Sequence, residues 1–568
     1  MLLSRLPLLL CVHLAAPLAL DPAVCSARGS CAADISAAIS ACRGGAACTV
    51  VLPPGIYALA PPPSATSLFT TPAQDNLLVS AYGAVFNLSA PVGVWVLSPA
   101  ANVTIEGLTL DMARAPFTLG AVLASTASES TLAVDEGVYP LDAGAQRAWP
   151  FIGAASRAVG YNTTTMGPSV GGVDIRTKSA PWPLERTGAG RARLRGLGTA
   201  LPVGSQVLLT HAFSAPVFSA RSVRGLTLRD ITVHAGTGIG VLANGCTGIT
   251  LEGVRLARSR GRHGTVTAGS THFANSRGGA LVLRNCSFQS AGDDGANPNN
   301  SYQEVESIAG DRLSAIVGMH GVAAAQPLLL PGDAITFFSR RTFAALGGSV
   351  VASVDNSTGG VAFASRIPPA VGRWDLAQAA RGNSPDSFLV EDCVFEGNRA
   401  RGGLFKASNT LIRRSRFAFT AMAAVQSDPD AGCRWFEGSG VRNWTLEDST
   451  IDHVNAQLGA VPGSADVWLT NCVPSWAGGE PAETGAPFWL NLTQNEGVTI
   501  ARNTFLQGAG GQPAVSILAA EGVAIVNNTV AWDGGGAPRA NFVGFGVARA
   551  RVVGNVCGGG PCVAEGLG

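Results

Sequence analysis

Short apolar segments of one design recur along the chain. Each sets apolar residues on either side of a single small or polar one, then turns through a two-residue corner rich in Asn, Asp or Gly. A second apolar pair closes the unit. Copies begin at Val103, Leu226, Ile249, Leu281, Phe388, Trp444, Val498 and Val523. Alternation with period 2 puts the apolar members on one face of a strand. Leu226 and Ile249 are 23 residues apart, and Val498 and Val523 are 25 apart. That period, with short strands and Asn/Gly corners, predicts an all-β parallel solenoid. One coil cannot bury its own inward side chains, whereas stacked coils share a continuous apolar interior. A β-propeller, the competing architecture, would want blades of roughly 40 residues and antiparallel hairpin patterns.

Two stretches are too long for a coil: residues 112 to about 205 and 300 to about 386. Within the second, 333–338 and 350–354 alternate, which predicts a small antiparallel β insertion. Solenoid insertions leave from corners, commonly on the binding face. This one starts just after Asp293-Asp294, so it is expected to wall that region. Near the N-terminus, Asp34 to Cys42 has helical spacing, and Thr49 to Ala58 reads as a first strand and turn. Residues 1–20 carry Arg5 and then no charge from Leu6 to Leu20, the pattern of a secretory signal too short for a membrane span. Residues 21–50 read as a disulfide-rich cap and 51–568 as the solenoid with its insertions.

Composition agrees with secretion and removes some partners. The 568 residues include 71 Gly and are 46% hydrophobic, as expected of a turn-rich folded chain. A net charge of +1 without long charge runs argues against nucleic acid or an anionic membrane as partner. Basic residues are Arg throughout, except Lys178 and Lys406, an asymmetry that carries no functional signal by itself. Of 12 cysteines, Cys11 lies in the signal. Cys25, Cys31, Cys42 and Cys48 fit two cap disulfides, and Cys557 with Cys562 a terminal loop. Cys286 and Cys393, inside repeat strands, read as small buried hydrophobes. Nine N-x-S/T sequons, among them Asn87, Asn102, Asn162, Asn356, Asn443 and Asn491, suit an extracellular glycoprotein. No C-x-x-C or H-x-x-x-H spacing suggests a metal site, and no cofactor is expected.

The chemistry gathers on both flanks of the strand Ala280 to Phe288. Ile249 and Leu281 are 32 residues apart, about nine more than a plain coil, and the excess holds Arg262, His263, Thr265, Thr267, Ser270, Thr271 and His272. On the other flank stand Asp293 and Asp294, which in a corner can both reach one groove. Close carboxylates disfavour double ionisation and raise one pKa. Glycosidic cleavage uses such a donor together with a water-activating carboxylate. In the inverting version the two are roughly 6.5–9.5 Å apart, so a third carboxylate is expected across the groove. The alternative is that Asp-Asp-Gly serves only to turn the chain. His272, Asn297, Arg401, Asp430, Arg434, Trp435 and Glu437 are candidates for sugar binding, the charged groups for hydroxyls and the indole for a pyranose face. His211 and His234 read as structural.

An ordered set of segments resembles the secreted α-1,3-galactosidases of glycoside hydrolase family 110. They are Asn102 to Asp111, Ala115 to Gly120, Ala268 to Phe273, Gly292 to Asn297, Gly332 to Phe338, Asn398 to Gly402 and Trp435 to Arg442. The resemblance covers roughly residues 30 to 460. It implies a right-handed parallel β-helix of the pectin-lyase-like kind, with a small β-rich insertion. It also implies a metal-independent inverting hydrolase that removes terminal α-linked galactose from an oligosaccharide or polysaccharide. Asp293 and Asp294 match the family's paired aspartates, assigned to general-base work. The matching family segment for Thr271-His272-Phe273 is preceded by an aspartate acting as general acid, and here Gly269 and Ser270 stand instead. Another carboxylate then substitutes, or the specificity has shifted, or the chain is a carbohydrate-binding solenoid that has lost the acid. A polysaccharide lyase or polygalacturonase-like enzyme is a third reading, against which the ordered polygalacturonase motifs are missing.

Overall fold

In the computed structural model, Val103, Leu226, Ile249, Leu281 and Phe388 stack in parallel register, each paired with the next. The residue that opens each sequence copy thus lies directly over the one that opens its neighbour. The structure describes residues 30–567 apart from 43–46, 62–63, 72–73, 178–179, 260, 319–328, 356, 380–383, 432–434, 457–463, 478–479, 487–493, 509–510, 534–538 and 559. The signal reading for 1–20, Cys25, and the sequons at Asn356 and Asn491 fall outside the described residues. A 23-stranded and a 13-stranded sheet run the length of a right-handed parallel β-helix. One continuous core fills it, from Ile35 through Phe86, Leu251 and Phe395 to Phe542. Three rungs escape the sequence pattern. Leu77 pairs with Val103, Thr410 stands between Phe388 and Trp444, and Arg551–Val553 pairs on Ala524 to Val526. The Thr410 rung is hidden because it opens on a polar Thr410 and its corner holds Arg413 and Arg414, where every recognised copy but that of Val498 carries Asp, Asn or Gly.

That corner shows how the chain turns. Its second residue takes the left-handed conformation in copy after copy: φ is 51° at Asp230 and Asn285, 55° at Asp392 and 50° at Asp448. Short polar side chains visit this region readily, whereas other residues incur roughly 1–2 kcal/mol. Arg414 (47°) and Arg502 (56°) do so against that cost. Each lays its guanidinium on the corner aspartate of the preceding coil, Arg414 Nε on Asp392 at 2.9 Å and Arg502 Nε on Asp448 at 2.8 Å. The first residue of the corner alternates in sign along the stack. Glu106, Arg229 and Glu252 form one ladder with contacts of 3.2 Å, and Arg284, Glu391 and Arg413 form another. Exposed pairs stabilise little. A coil set one rung out of place, however, would bring like charges together.

The residue after the corner points inward and builds a polar spine. Each backbone N–H donates to the side chain of the following coil: Cys393 to Ser415 Oγ (3.2 Å), Ser415 to Ser449 Oγ (3.1 Å), and Ser449 to Asn503 Oδ1 (3.0 Å). Asn503 continues to Asn528 Oδ1 (2.9 Å), and Asn528 to Asn555 Oδ1 (2.8 Å). Cys286 and Cys393 stand in this column. Both are unbridged and buried, and both thiols reach carbonyls as well as filling space. Cys42–Cys48 and Cys557–Cys562 are disulfides, and Cys31 and Cys472 are also disulfide-bonded. The N-terminal helix Ala32–Ala41 buries Ile35 and Ile39 against the first coils. No described helix is long and apolar enough to cross a membrane.

Both long interruptions fold as antiparallel β-structure with cores of their own. The first contributes a nine-stranded sheet running from Phe117–Ser125 to Gln206–Thr210, packed around Leu132, Ile152 and Leu194. The second closes a six-stranded barrel between Gln303–Ile308 and Leu376–Ala379 around Val305, Phe337 and Phe363. Replacing Asn528 by Leu would leave the Asn503 N–H and the Ile500 carbonyl unpaired in the core. At about 1–3 kcal/mol for each orphaned group, a clear fall in the thermal unfolding midpoint is expected, and an unchanged midpoint would contradict the spine's structural role.

Candidate active site

On one face of the helix the strands Thr271–Ala274, Ala296–Asn299, Gly403–Leu404 and Val425–Ser427 stack in parallel. The register sets His272 beside Asn297 and Leu404 beside Gln426. Asp294 stands two residues before Ala296, in the corner that leads into this face. Its Oδ1 accepts from the Arg401 backbone N–H at 3.1 Å and from Arg401 Nη1 at 3.3 Å, while Arg401 Nε donates to Gln426 Oε1 at 2.6 Å. Adjacent in sequence, the two aspartates differ in environment: the Asp293 side chain is 44% exposed and that of Asp294 only 11%. Burial raises the Asp294 carboxyl above its ordinary range, and the nearby Asp293 pushes the same way. Arg401 opposes both without prevailing.

The first insertion reaches Asp293. Arg157 Nη1 donates to the Gly292 carbonyl at 2.7 Å, and its Nε lies 4.0 Å from Asp174. Arg399 bridges the groups, with Nε on Asp174 at 2.6 Å and Nη1 3.5 Å from Asp293. Burial, reinforced by Arg399, lowers the Arg157 guanidinium to about 10. Arg157, Asp174 and Arg399 therefore join Asp293 in one charge network, which sequence reading missed. Asp174 and Arg399 are 225 residues apart with no pattern linking them. The wall nearest Asp293 comes from the first insertion, whereas the 300–386 stretch was the expected one.

The barrel instead holds a strap, described at Asp430, Ala431 and Trp435 to Gly438. Tyr302 N–H donates to Phe436 O at 2.8 Å, and Gly438 N–H to Asn300 O at 2.7 Å. Arg340, paired in the interior with Glu304, donates to Ala431 O at 2.6 Å and lies 4.8 Å over the Phe436 ring. The strap carries Glu437 over the sheet. Its Oε2 accepts from Asn297 Nδ2 at 3.2 Å and from Lys406 Nζ at 3.3 Å, and its Oε1 is 3.8 Å from His272 Nε2. Burial alone would raise the Glu437 carboxyl, but Lys406, His272 and the Asn297 amide together hold it below the usual range. Lys406 is buried between Glu437 and Asp428, 3.1 Å from the latter, and these neighbours outweigh the burial that would depress its ammonium.

Asp293, Asp294, His272, Asn297, Arg401 and Glu437 thus come together. Trp435 is 60% exposed on the strap. Asp430 is buried and closes the strap, accepting from the Trp435 N–H at 3.2 Å, while its own N–H donates to Glu437 O at 2.8 Å. Arg434 lies outside the described residues. In the enlarged corner His263 meets Tyr139 and Tyr161 of the first insertion, while Arg262 binds Asp111 of the coil strand Thr109–Met112 at 2.5 Å. His211 is locked between Thr118 and Ala154 at 2.7 Å on each side, a structural position. A cavity of about 370 Å³ at another corner is lined by Asp392, Arg414, Arg416 and Asp448, which are spent on ion pairs within the coil stack.

No protein-family model matches the chain. It is similar to alpha-1,3-galactosidase A of Shewanella woodyi, at 28% identity over 286 residues, 48% of this chain and 46% of that protein. It is also similar to alpha-1,3-galactosidase B of Akkermansia muciniphila, at 23% identity over 444 residues, 73% of this chain and 55% of that protein. The chain spans about half the length of the curated relatives it matches. Among solved structures, the A-module of a mannuronan C-5 epimerase from Azotobacter vinelandii has a TM-score of 0.41 at 12% identity, covering 94% of this chain and 96% of that one.

In the corner column that holds Asp294, a further carboxyl is buried nearer the C-terminus. Asp466 accepts from Asn455 Nδ2 at 2.9 Å and Gln507 Nε2 at 2.8 Å, and burial raises it to about 7 in spite of both. A carboxyl raised on folding keeps its proton in the native state after the unfolded chain has lost it. Its contribution to stability is therefore fully present below about pH 4 and is lost as pH rises towards 7. Asp466→Asn is expected to flatten that slope in thermal unfolding followed from pH 4 to 8. An unchanged slope would show that Asp466 titrates normally.

Proposed function

We propose that this chain is a secreted glycoside hydrolase of the family 110 type. It cleaves terminal α-linked galactose, or a closely related sugar, from glycans with inversion at the anomeric carbon. One observation carries the reading: a buried Asp294, its carboxyl raised by that burial, beside a solvent-open Asp293, in a corner that leads onto the polar row of His272, Asn297 and Glu437. A solenoid needs no such assembly to close a coil: the matching corners of the coils on either side carry Gly269-Ser270 and Arg401-Gly402. The relatives named alpha-1,3-galactosidase support the sugar and the linkage. The strap adds an exposed indole, Trp435, on which an apolar sugar face can stack.

Hydrolysis at an α-galactosidic bond needs a proton for the leaving oxygen and a base for water on the opposite ring face. Arg401 fixes the Asp294 carboxyl through two hydrogen bonds, while Arg157 and Arg399 hold the Asp293 region in shape. One observation favours a binding protein instead: the coil beneath Asp294 offers only Gly269 and Ser270 where an acid is expected.

Purified protein is expected to release galactose from α-1,3-galactosyl oligosaccharides, with Asp293→Asn and Asp294→Asn each slowing turnover by about 10²–10⁴-fold, the usual worth of general acid–base assistance. Glycan binding without turnover would establish the binding reading. Turnover that survives both substitutions would remove these aspartates from the reaction.

A further inference from the structure

The sheet face that carries His272 and Asn297 changes character between those two residues. Alternate residues of a coil strand point out of the coil, so this face should read buried and half-buried in turn. The strands Val241–Asn244 and Thr271–Ala274 do, but Ala296–Asn299 and Val467–Leu469 are buried at every position. Ser219, Leu242 and His272 lie in one outward row, paired coil to coil, and each is half-buried. The same row continues through Asn297 to Gln426 and Trp468, which are buried. The strap covers part of that half. Its Glu437 binds Asn297 and Lys406, and its Phe436 shares an apolar cluster with Leu518. The face is therefore closed towards the C-terminal coils and open towards the N-terminal ones.

At the edge of the open half stands Phe213, 62% exposed. A lone exposed phenyl needs no explanation, but this one is held in place. Two residues before it, His211 N–H donates to Pro116 O at 2.9 Å. Just after it, Ser214 N–H donates to Thr237 O at 2.5 Å, and the Ser214 and Thr237 hydroxyls meet at 2.6 Å. A Cβ at Gly238 would lie 2.5 Å from the Ala215 carbonyl oxygen and 2.6 Å from that of Ser214, so the close contact requires glycine. The Arg176 guanidinium lies 6.0 Å from the centre of the phenyl ring. Arg176 shares a face of the strand Asp174–Arg176 with Asp174, which meets Arg399 beside Asp293. Phe213 thus stands on the same wall as the Asp293 network. Ala215, Gly238, Ala268 and Asp293 follow one another up the corner column, three coils or roughly 14 Å along the axis.

We infer that the glycan leaves the site over Leu242 and Ser219, and that Phe213 is the platform of an outer sugar subsite. Arg176 steadies the ring, and its exposed remainder takes the C–H face of a pyranose by apolar contact. Terminal galactose occupies the closed end of the groove. The sugar on Phe213 lies further along the chain, beyond the reach of a disaccharide. The substrate class is then a galactose-capped oligosaccharide of three or more units.

The outer subsite rests on the hydrolase reading, and one set of assays tells the two apart. Wild type, Phe213→Ala and Phe213→Trp are compared on an α-1,3-galactosyl disaccharide and on a linear tetrasaccharide ending in the same linkage. Thermal unfolding checks that each variant folds. The readout is the ratio of kcat/KM between the two substrates, in which any general loss of activity cancels. Wild type is expected to favour the tetrasaccharide. Phe213→Ala is expected to lower the ratio by about 2–10-fold, mostly through KM for the longer substrate, and Phe213→Trp to keep it. An active wild type that treats both substrates alike, or a ratio unmoved in Phe213→Ala, would overturn the platform and leave the hydrolase reading standing. A wild type that cleaves neither substrate would overturn the hydrolase reading. Calorimetric titration with the same two glycans would then decide the platform: weaker tetrasaccharide binding in Phe213→Ala would support it, and equal affinity would overturn it.

Discussion

A parallel coil has no backbone partners within itself, so the N–H and C=O groups of a strand such as Ala296–Asn299 must find theirs in the coils on either side. That requirement forces residues distant in sequence into one register at a spacing of roughly 4.8 Å. His272, Asn297 and the strand before Lys406 are neighbours because hydrogen bonds between coils leave them no other alignment. The charge ladders, the left-handed corners and the internal spine all enforce the same alignment. A site built across four coils is then as rigid as the stack itself, without long side chains having to converge from flexible loops.

The coil interior was legible in sequence because its cause is local and periodic. Inward residues alternate, corners need Asp, Asn or Gly, and the interval between copies is the register found in space, as with Leu226 on Ile249 and Val498 on Val523. The Thr410 rung escaped because it opens on a threonine and two arginines occupy its corner, the strain at Arg414 offset by an aspartate one coil away, which no single-copy pattern records. Within the site, Asp293, Asp294, His272 and Glu437 stood out as charged or polar residues at strand ends. Arg157 and Asp174 did not, since they come from an antiparallel sheet whose contact with the corner is set by tertiary packing alone. Lys406 did leave a signal. In a chain that uses arginine almost everywhere, a lysine marks a place for a compact ammonium, and between Asp428 and Glu437 there is such a place.

The groove carries a concentration of buried charge that a structural solenoid would avoid. Arg157 loses solvation enough to bring its guanidinium down to about 10, and Lys406 is all but sealed from water. Each is tolerated because carboxylates lie alongside, yet well-packed apolar residues would often serve stability at least as well. The two insertions share the work of holding this arrangement. The first props the Asp293 corner through Arg157 and Asp174, and the second steadies the strap through Arg340. Neither insertion adds a rung to the stack, and both converge on the same face.

The internal spine has a direction. From Cys393 to Asn528, every backbone donor waits for an acceptor that the chain supplies only one coil later. During synthesis each newly emerged coil therefore completes its predecessor, and a ribosome stalled at any rung leaves one spine donor and the open strand edges of the last coil unpaired, while the coils behind it are already satisfied. Assembly of this half of the molecule can follow translation coil by coil, in the order in which the chain is made.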